Sequence, residues 1–86
     1  MIVRIPPPLH SYTGGVSSVE GKGESLRAVL DDLDARFRGL RFRIIDEQDH
    51  VRPHIKLFVN ARLADSIERP VAGTDEVHII CALSGG

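Results

Sequence analysis

One amphipathic segment does most to limit the folds available to this chain of 86 residues. Ser25 has the side chain of a helix N-cap, and Gly39 is a residue that commonly ends helices. Between them, five apolar residues recur at helical spacing and form one face: Leu26, Val29, Leu30, Leu33 and Phe37. The sequence therefore predicts one main helix, and a single helix can cover one face of a sheet.

The segments on both sides of this helix read as short strands. Before it, residues 1–5 and 16–19 are predicted strands, separated by Pro6-Pro7-Pro8 and by a turn at Thr13-Gly14-Gly15. After it, residues 42–45, 55–59 and 76–83 are predicted strands, and residues 64–71 are expected to cross irregularly. The predicted order is β-β-α-β-β-β, an α+β fold.

Size and composition narrow the function. The chain is long enough for one domain with a modest core and too short for a deep active-site cavity. Eleven basic and twelve acidic residues give a net charge of −1, which predicts no attraction to nucleic acid or to an anionic membrane. The single cysteine excludes an internal disulfide, and we find neither a membrane-spanning run nor a signal-peptide pattern. We expect a cytoplasmic protein.

The sequence closes on Leu83, Ser84, Gly85 and Gly86. We expect residues 1–82 to form the folded domain and residues 83–86 to form a flexible tail. Glycine has no Cβ and can pass where walls approach the backbone closely. A diglycine therefore suits a terminal carboxylate that an enzyme activates in a narrow channel. The alternative is a frayed terminus without chemistry.

Several short motifs occur in the order found in a known family. They are SLRAVL at 25–30, FVN at 58–60, GTDEV at 73–77 and ALSGG at 82–86. The chain thus resembles the MoaD/ThiS sulfur carriers along essentially its whole length. It looks most like the longer bacterial branch that includes the carrier for cysteine synthesis. There an Ile-Pro follows the first strand and a Thr-Gly-Gly closes the first loop. The resemblance implies a ubiquitin-like β-grasp: one mixed sheet of four to five strands, with one main helix on one face.

The resemblance also implies a mechanism in which this chain is not the catalyst. An E1-like enzyme would adenylate the carboxylate of Gly86 with ATP and magnesium, while Gly85, Ser84 and Leu83 thread its channel. Sulfide, or a persulfide held by a sulfurtransferase, would displace AMP and leave a thiocarboxylate for a sulfur-accepting synthase. The implied partners are these three proteins, and no cofactor is bound by the chain itself.

Strand alternation predicts which face of the sheet each residue near the tail occupies. Side chains alternate between the two faces of a strand, so Val77, Ile79 and Cys81 are expected beneath the helix. The residues between and after them are expected on the open face, which corresponds to the main partner-binding patch of ubiquitin, and this resemblance makes them our docking candidates: His78, Ile80 and Ala82. Packing of Ile80 against a neighbouring loop is the alternative.

Other polar and reactive residues suggest less. Cys81 is expected to be a small buried hydrophobe rather than a nucleophile. His50 and His54 flank Pro53 and lack further ligands at zinc spacing, so no metal site is predicted. Three basic residues are compatible with a patch that binds a partner protein: Arg52, Lys56 and Arg62. The alternative is that they are ordinary solvated surface.

Four functions are compatible with this reading. The first is a sulfur carrier for cysteine or another sulfur-containing metabolite. The second is the small subunit of molybdopterin synthase, and the third is a ubiquitin-like modifier conjugated through Gly86. The fourth is an interaction domain whose terminus is inert. The free diglycine argues against the fourth, and the sequence does not choose among the others.

Overall fold

The computed structural model describes residues 1–82, so the predicted tail at 83–86 and its boundary with the domain lie outside the described residues. The strands are β1 (Ile2–Arg4), β2 (Ser18–Glu20), β3 (Ile55–Val59), β4 (Arg62–Leu63) and β5 (Glu76–Cys81). The helices are α1 (Leu26–Arg36) and α2 (Leu40–Ile44), and a 3-10 helix spans Pro7–Tyr12. No helix in residues 1–82 has the length and apolar character needed to cross a membrane.

β5 is the central strand of one mixed sheet, whose order is β2-β1-β5-β3-β4. It runs parallel to β1 and antiparallel to β3, while the β1–β2 and β3–β4 pairs are antiparallel. The expected α+β class, with one mixed five-stranded sheet and one main helix against it, is confirmed. The strand that precedes the tail is therefore held from both sides.

The main helix α1 forms where the sequence predicts it. The Oγ of Ser25 accepts a hydrogen bond from the Ala28 amide at 3.2 Å, which caps the first turn. The helix α1 packs closely on the sheet. At Gly21, a Cβ would lie 2.8 Å from Val3 Cγ2 of β1 and 3.1 Å from Val29 Cγ1 of α1. Four residues of α1 are buried in the common core: Leu26, Val29, Leu30 and Leu33.

The strand predicted at residues 42–45 is wrong. This segment belongs to α2, in which Leu40 and Ile44 lie one helical turn apart and are both fully buried. The Oδ1 of Asp34 accepts the amides of Gly39 and Arg41 at 3.1 Å each, which satisfies donors at the start of the helix. Four residues of apparent alternation carry too little information to separate a strand from one helical turn.

The remaining connections differ from the prediction in detail. β2 is displaced toward the C-terminus by one to two residues, and the turn before it has positive φ at Gly14 and Gly15, as its sequence predicts. β3 occupies the predicted residues. Asn60 and Ala61 then form a two-residue turn with φ of 50° and 72°, leading into the very short β4, which the prediction missed.

Candidate functional site

The alternation predicted for β5 is confirmed by burial. Val77 and Ile79 are each 2% exposed and lie in the core, whereas Ile80 is 43% exposed. His78 is partly exposed, and Ala82 is exposed just beyond the strand. Cys81 points toward the core side but is only partly buried, because it lies at the core's edge. The docking role of the open-face residues remains a prediction.

Neighbouring strands extend the exposed surface around Ile80. Lys56 is the partner of Ile80 across the β3–β5 pair, and Phe58 is the partner of His78. Side chains directly opposite each other share a face and lie close together. The result is a shallow depression of about 290 Å³, which we call the open-face patch, lined by Phe58, Ala61, His78 and Ile80. Phe58 was not predicted as a site residue, although its alternation with buried Leu57 and Val59 is a usable signal.

One edge of this patch carries a compact charge cluster. The Nε of Arg4 donates to Oε2 of Glu76 at 2.6 Å, and His78 Nε2 lies 3.5 Å from the same oxygen. The hydrogen bond from Arg4 is the main reason that the pKa of Glu76 lies below its usual value. Because this carboxylate is already engaged by Arg4, the patch offers a partner mainly apolar contact.

A second apolar depression borders Ile80 on its other side. β1 stops pairing with β5 after Arg4, since the three prolines that follow Ile5 have no N–H to continue the ladder. The chain separates there and leaves a groove of about 660 Å³ between Pro6–Pro8 and the end of β5 at Ile79–Cys81. Ile80 lines both this proline groove and the open-face patch.

The end of the described chain is anchored beside these surfaces. The Ala82 amide donates to the His54 carbonyl at 2.7 Å, so pairing with the β3 side continues one residue past β5. Leu83, Ser84, Gly85 and Gly86, the predicted reactive tail, lie outside the described residues. The arrangement provides a rigid base, with apolar surface on both sides of Ile80, directly before the predicted tail.

The other candidate residues do not form one site. Within residues 1–82, no group of three or more His, Cys, Asp or Glu side chains is arranged to hold a metal ion. Two members of the predicted basic patch, Arg52 and Lys56, line a common depression, whereas Arg62 pairs with Val59 and lies on the opposite face of the sheet from Lys56. Arg52 stacks on Phe42, with its guanidinium carbon 4.4 Å from the ring centroid, while Lys56 faces outward from β3 and Arg62 lies in β4.

Comparison with known proteins gives consistent results. The sulfur carrier protein CysO of Mycobacterium tuberculosis (strain ATCC 25618 / H37Rv) is 34% identical over an alignment of 89 positions, covering 98% of this chain and 96% of that protein. A chain in the crystal structure of the Amycolatopsis orientalis BexX/CysO complex superposes with a TM-score of 0.91 at 32% identity, covering 99% and 98% of the two chains.

A more distant likeness concerns the fold alone. The small archaeal modifier protein 1 of Methanosarcina acetivorans has a TM-score of 0.81 at 21% identity, covering 99% of this chain and 94% of that one. The expected ubiquitin-like β-grasp is confirmed by the CysO structures. The ThiS family model matches residues 3–86, nearly the whole sequence. On the strength of that match and of the full-length CysO relatives, this chain belongs to the ThiS family.

Proposed function

We propose that this domain is a sulfur carrier whose Gly86 carboxylate becomes a thiocarboxylate. The observation that carries the proposal is membership of the ThiS family over residues 3–86, a match that includes the diglycine. The 34% identity to a protein named as a sulfur carrier supports the same function. Cysteine or another sulfur-containing metabolite is the proposed destination of the sulfur.

The proposed chemistry takes place on partner enzymes. A carboxylate oxygen of Gly86 attacks the α-phosphorus of ATP on an E1-like enzyme, and magnesium pyrophosphate leaves. Sulfide then attacks the acyl-adenylate carbonyl, the bond to AMP breaks, and a thiocarboxylate remains. If a sulfurtransferase persulfide attacks instead, an acyl disulfide forms, and a thiol reductant must release the thiocarboxylate. In either case this chain is a cosubstrate and supplies no catalytic residue.

The domain's contribution in this scheme is presentation of the terminus. β5 is paired on both sides, and the Ala82–His54 hydrogen bond holds the chain up to the last described residue. Four further residues can reach at most about 14 Å when fully extended. A partner enzyme must therefore contact the body of the domain near Ile80 for the carboxylate to enter its active site. The open-face patch and the proline groove are the surfaces we propose for that contact.

The experiment is intact-protein mass spectrometry after incubation with the cognate activating enzyme, ATP, magnesium and sulfide. We expect the mass gain of one sulfur replacing one oxygen, located at Gly86 by fragmentation. ATP–pyrophosphate exchange, followed in parallel, reports adenylation of the Gly86 carboxylate separately from its conversion by sulfide.

Two variants make the test specific to the terminus. Deletion of Gly86, or addition of one residue after it, should abolish sulfur gain while the circular dichroism spectrum stays unchanged. Sulfur gain by the extended variant, or neither adenylation nor sulfur gain by the native chain, would refute the proposal.

A further inference from the structure

A separate depression near the end of β5 combines an aromatic ring with cations. Its volume is about 330 Å³, and we call it the Phe42 groove after the ring that forms one wall. Arg43, Arg52, His54 and Cys81 also line it. Because Leu40 and Ile44 occupy the inward side of α2, Phe42 and Arg43 are directed outward, and Phe42 is 54% exposed.

Arg52 is fixed in place as part of this wall. Its amide donates to the Ile44 carbonyl at 3.0 Å, and its Nε donates to the Phe42 carbonyl at 2.7 Å. The guanidinium lies over the Phe42 ring, a favourable cation–π arrangement. Only the Nε is used by these contacts, so the two terminal nitrogens can still donate to a ligand. A guanidinium held in this way recognises a carboxylate with little loss of side-chain entropy.

The cations of the groove lack carboxylate partners in residues 1–82. Arginines on other faces, such as Arg4, Arg27 and Arg36, form ion pairs, whereas neither Arg43 nor Arg52 forms one within the described residues. Near Arg52, the pKa of Asp46 is lowered chiefly by the hydrogen bond from the His50 amide and only in smaller part by the Arg52 charge, because its Oδ1 accepts the amides of Gln48 and His50 at 2.9 Å each. Among the residues that the structure describes, no acidic one lines the groove.

The Phe42 groove lies next to the end of the described chain, directly before the predicted tail. Cys81, the last residue of β5, lines it, and His54 accepts the hydrogen bond from Ala82. Cys81 and Ile80 point to opposite faces of the strand, so the Phe42 groove and the open-face patch lie on different sides of the same chain end. A protein that encloses this end would meet an apolar surface on one side and a basic aromatic surface on the other.

We propose that the Phe42 groove docks an acidic segment of the activating enzyme that receives the tail. This segment carries an apolar residue among its carboxylates. Charge complementarity carries this inference, because carboxylates fit the free guanidinium edges while the apolar residue packs on the exposed Phe42. A nucleotide is the competing occupant, and the first test includes one. The inference rests on the proposed function for the identity of the receiving protein.

The first test does not depend on sulfur chemistry. The native protein is titrated with a capped peptide of four aspartates around one leucine, and amide chemical shifts are followed by NMR. We expect changes concentrated at Phe42, Arg43, Arg52 and His54 that disappear when asparagines replace the aspartates. Changes dispersed over the surface, no changes, or stronger changes at these residues with AMP would overturn the proposal.

The second test uses the activating enzyme. R43Q and R52Q should each raise the KM for the carrier roughly five-fold, the factor that corresponds to about 1 kcal/mol for an exposed ion pair, with little change in kcat. R62Q, the same charge change in β4, is the matched control. R43Q also controls for folding, because Arg43 is exposed. Equal KM for R43Q, R52Q and R62Q would refute acidic docking, whereas absence of adenylation in the native chain would refute the proposed function instead.

Discussion

Two adjacent isoleucines of β5 allow the fold and the docking surface to be tested with the same chemical change. Ile79→Ala removes a fully buried side chain, and such substitutions typically cost about 2–5 kcal/mol. Ile80→Ala removes the same atoms from a side chain that is 43% exposed. Each fully buried methylene group contributes about 0.8 kcal/mol, and Ile→Ala removes three carbon atoms. Because Ile80 is only partly buried, Ile80→Ala should lower the unfolding free energy by at most about 1.5 kcal/mol. The loss of strand propensity is similar in both.

Urea unfolding followed by circular dichroism measures this difference, provided that the m-values of the variants agree. We expect Ile79→Ala to be less stable than Ile80→Ala by at least about 0.5 kcal/mol. Affinity for the cognate activating enzyme, compared at equal folded concentrations, should show the opposite order, with Ile80→Ala the weaker binder. If Ile80→Ala were the more destabilised variant, the strand register would be displaced by one residue, because such a slip exchanges the two faces.

Three further predictions concern other parts of the domain. Cys81→Ser should leave thiocarboxylate formation intact, and complete loss of sulfur loading in a folded variant would show that the thiol takes part. Asn60→Ala should lower the unfolding free energy by about 1–3 kcal/mol, and unchanged urea midpoints would contradict this. Asn60 has positive φ, and its side-chain amide donates to the Asp75 carboxylate and accepts from the Glu76 backbone amide. Hydrogen bonds lower the pKa values of Glu76, Asp75 and Asp49, chiefly from Arg4, the Ala72 amide and Arg27 respectively. The stability that these three carboxylates contribute is complete above their ordinary pKa values, which are 4.5 for Glu76 and 3.8 for the two aspartates. It is lost as the pH falls through the lowered pKa values, so urea midpoints should fall progressively below about pH 4.5.

The features that sequence predicted well are those with long or chemically distinct signals. α1 has an N-cap and an apolar face over three turns, and β5 has an apolar pattern that defines both its faces. The exposure of Ile80 followed from alternation alone. α2 was missed because four residues were read as a strand, although the spacing from Leu40 to Ile44, beginning after Gly39, also fits one helical turn.

The surfaces around the predicted tail depend on contacts that local patterns do not show. The proline groove exists because β1 pairs with β5, a strand at the other end of the sequence, and then separates from it at Pro6. The Phe42 groove needs both the helical form of α2 and the position of Arg52 over the ring. Single-sequence reasoning identified the basic character of Arg52 but not its position over the Phe42 ring.

The parallel pairing of β1 with β5 has a consequence for the order in which the protein can fold. Arg4 and Glu76, which bond across this pair, are separated by 72 positions in the chain. Without β5, the sheet is reduced to the β1–β2 and β3–β4 hairpins, and isolated hairpins are marginally stable in water. We therefore expect a nascent or truncated chain that lacks β5 to remain unfolded and open to proteolysis. Completion of the fold is then coupled to synthesis of the strand that leads to Gly86, and slow long-range closure is expected to limit the folding rate.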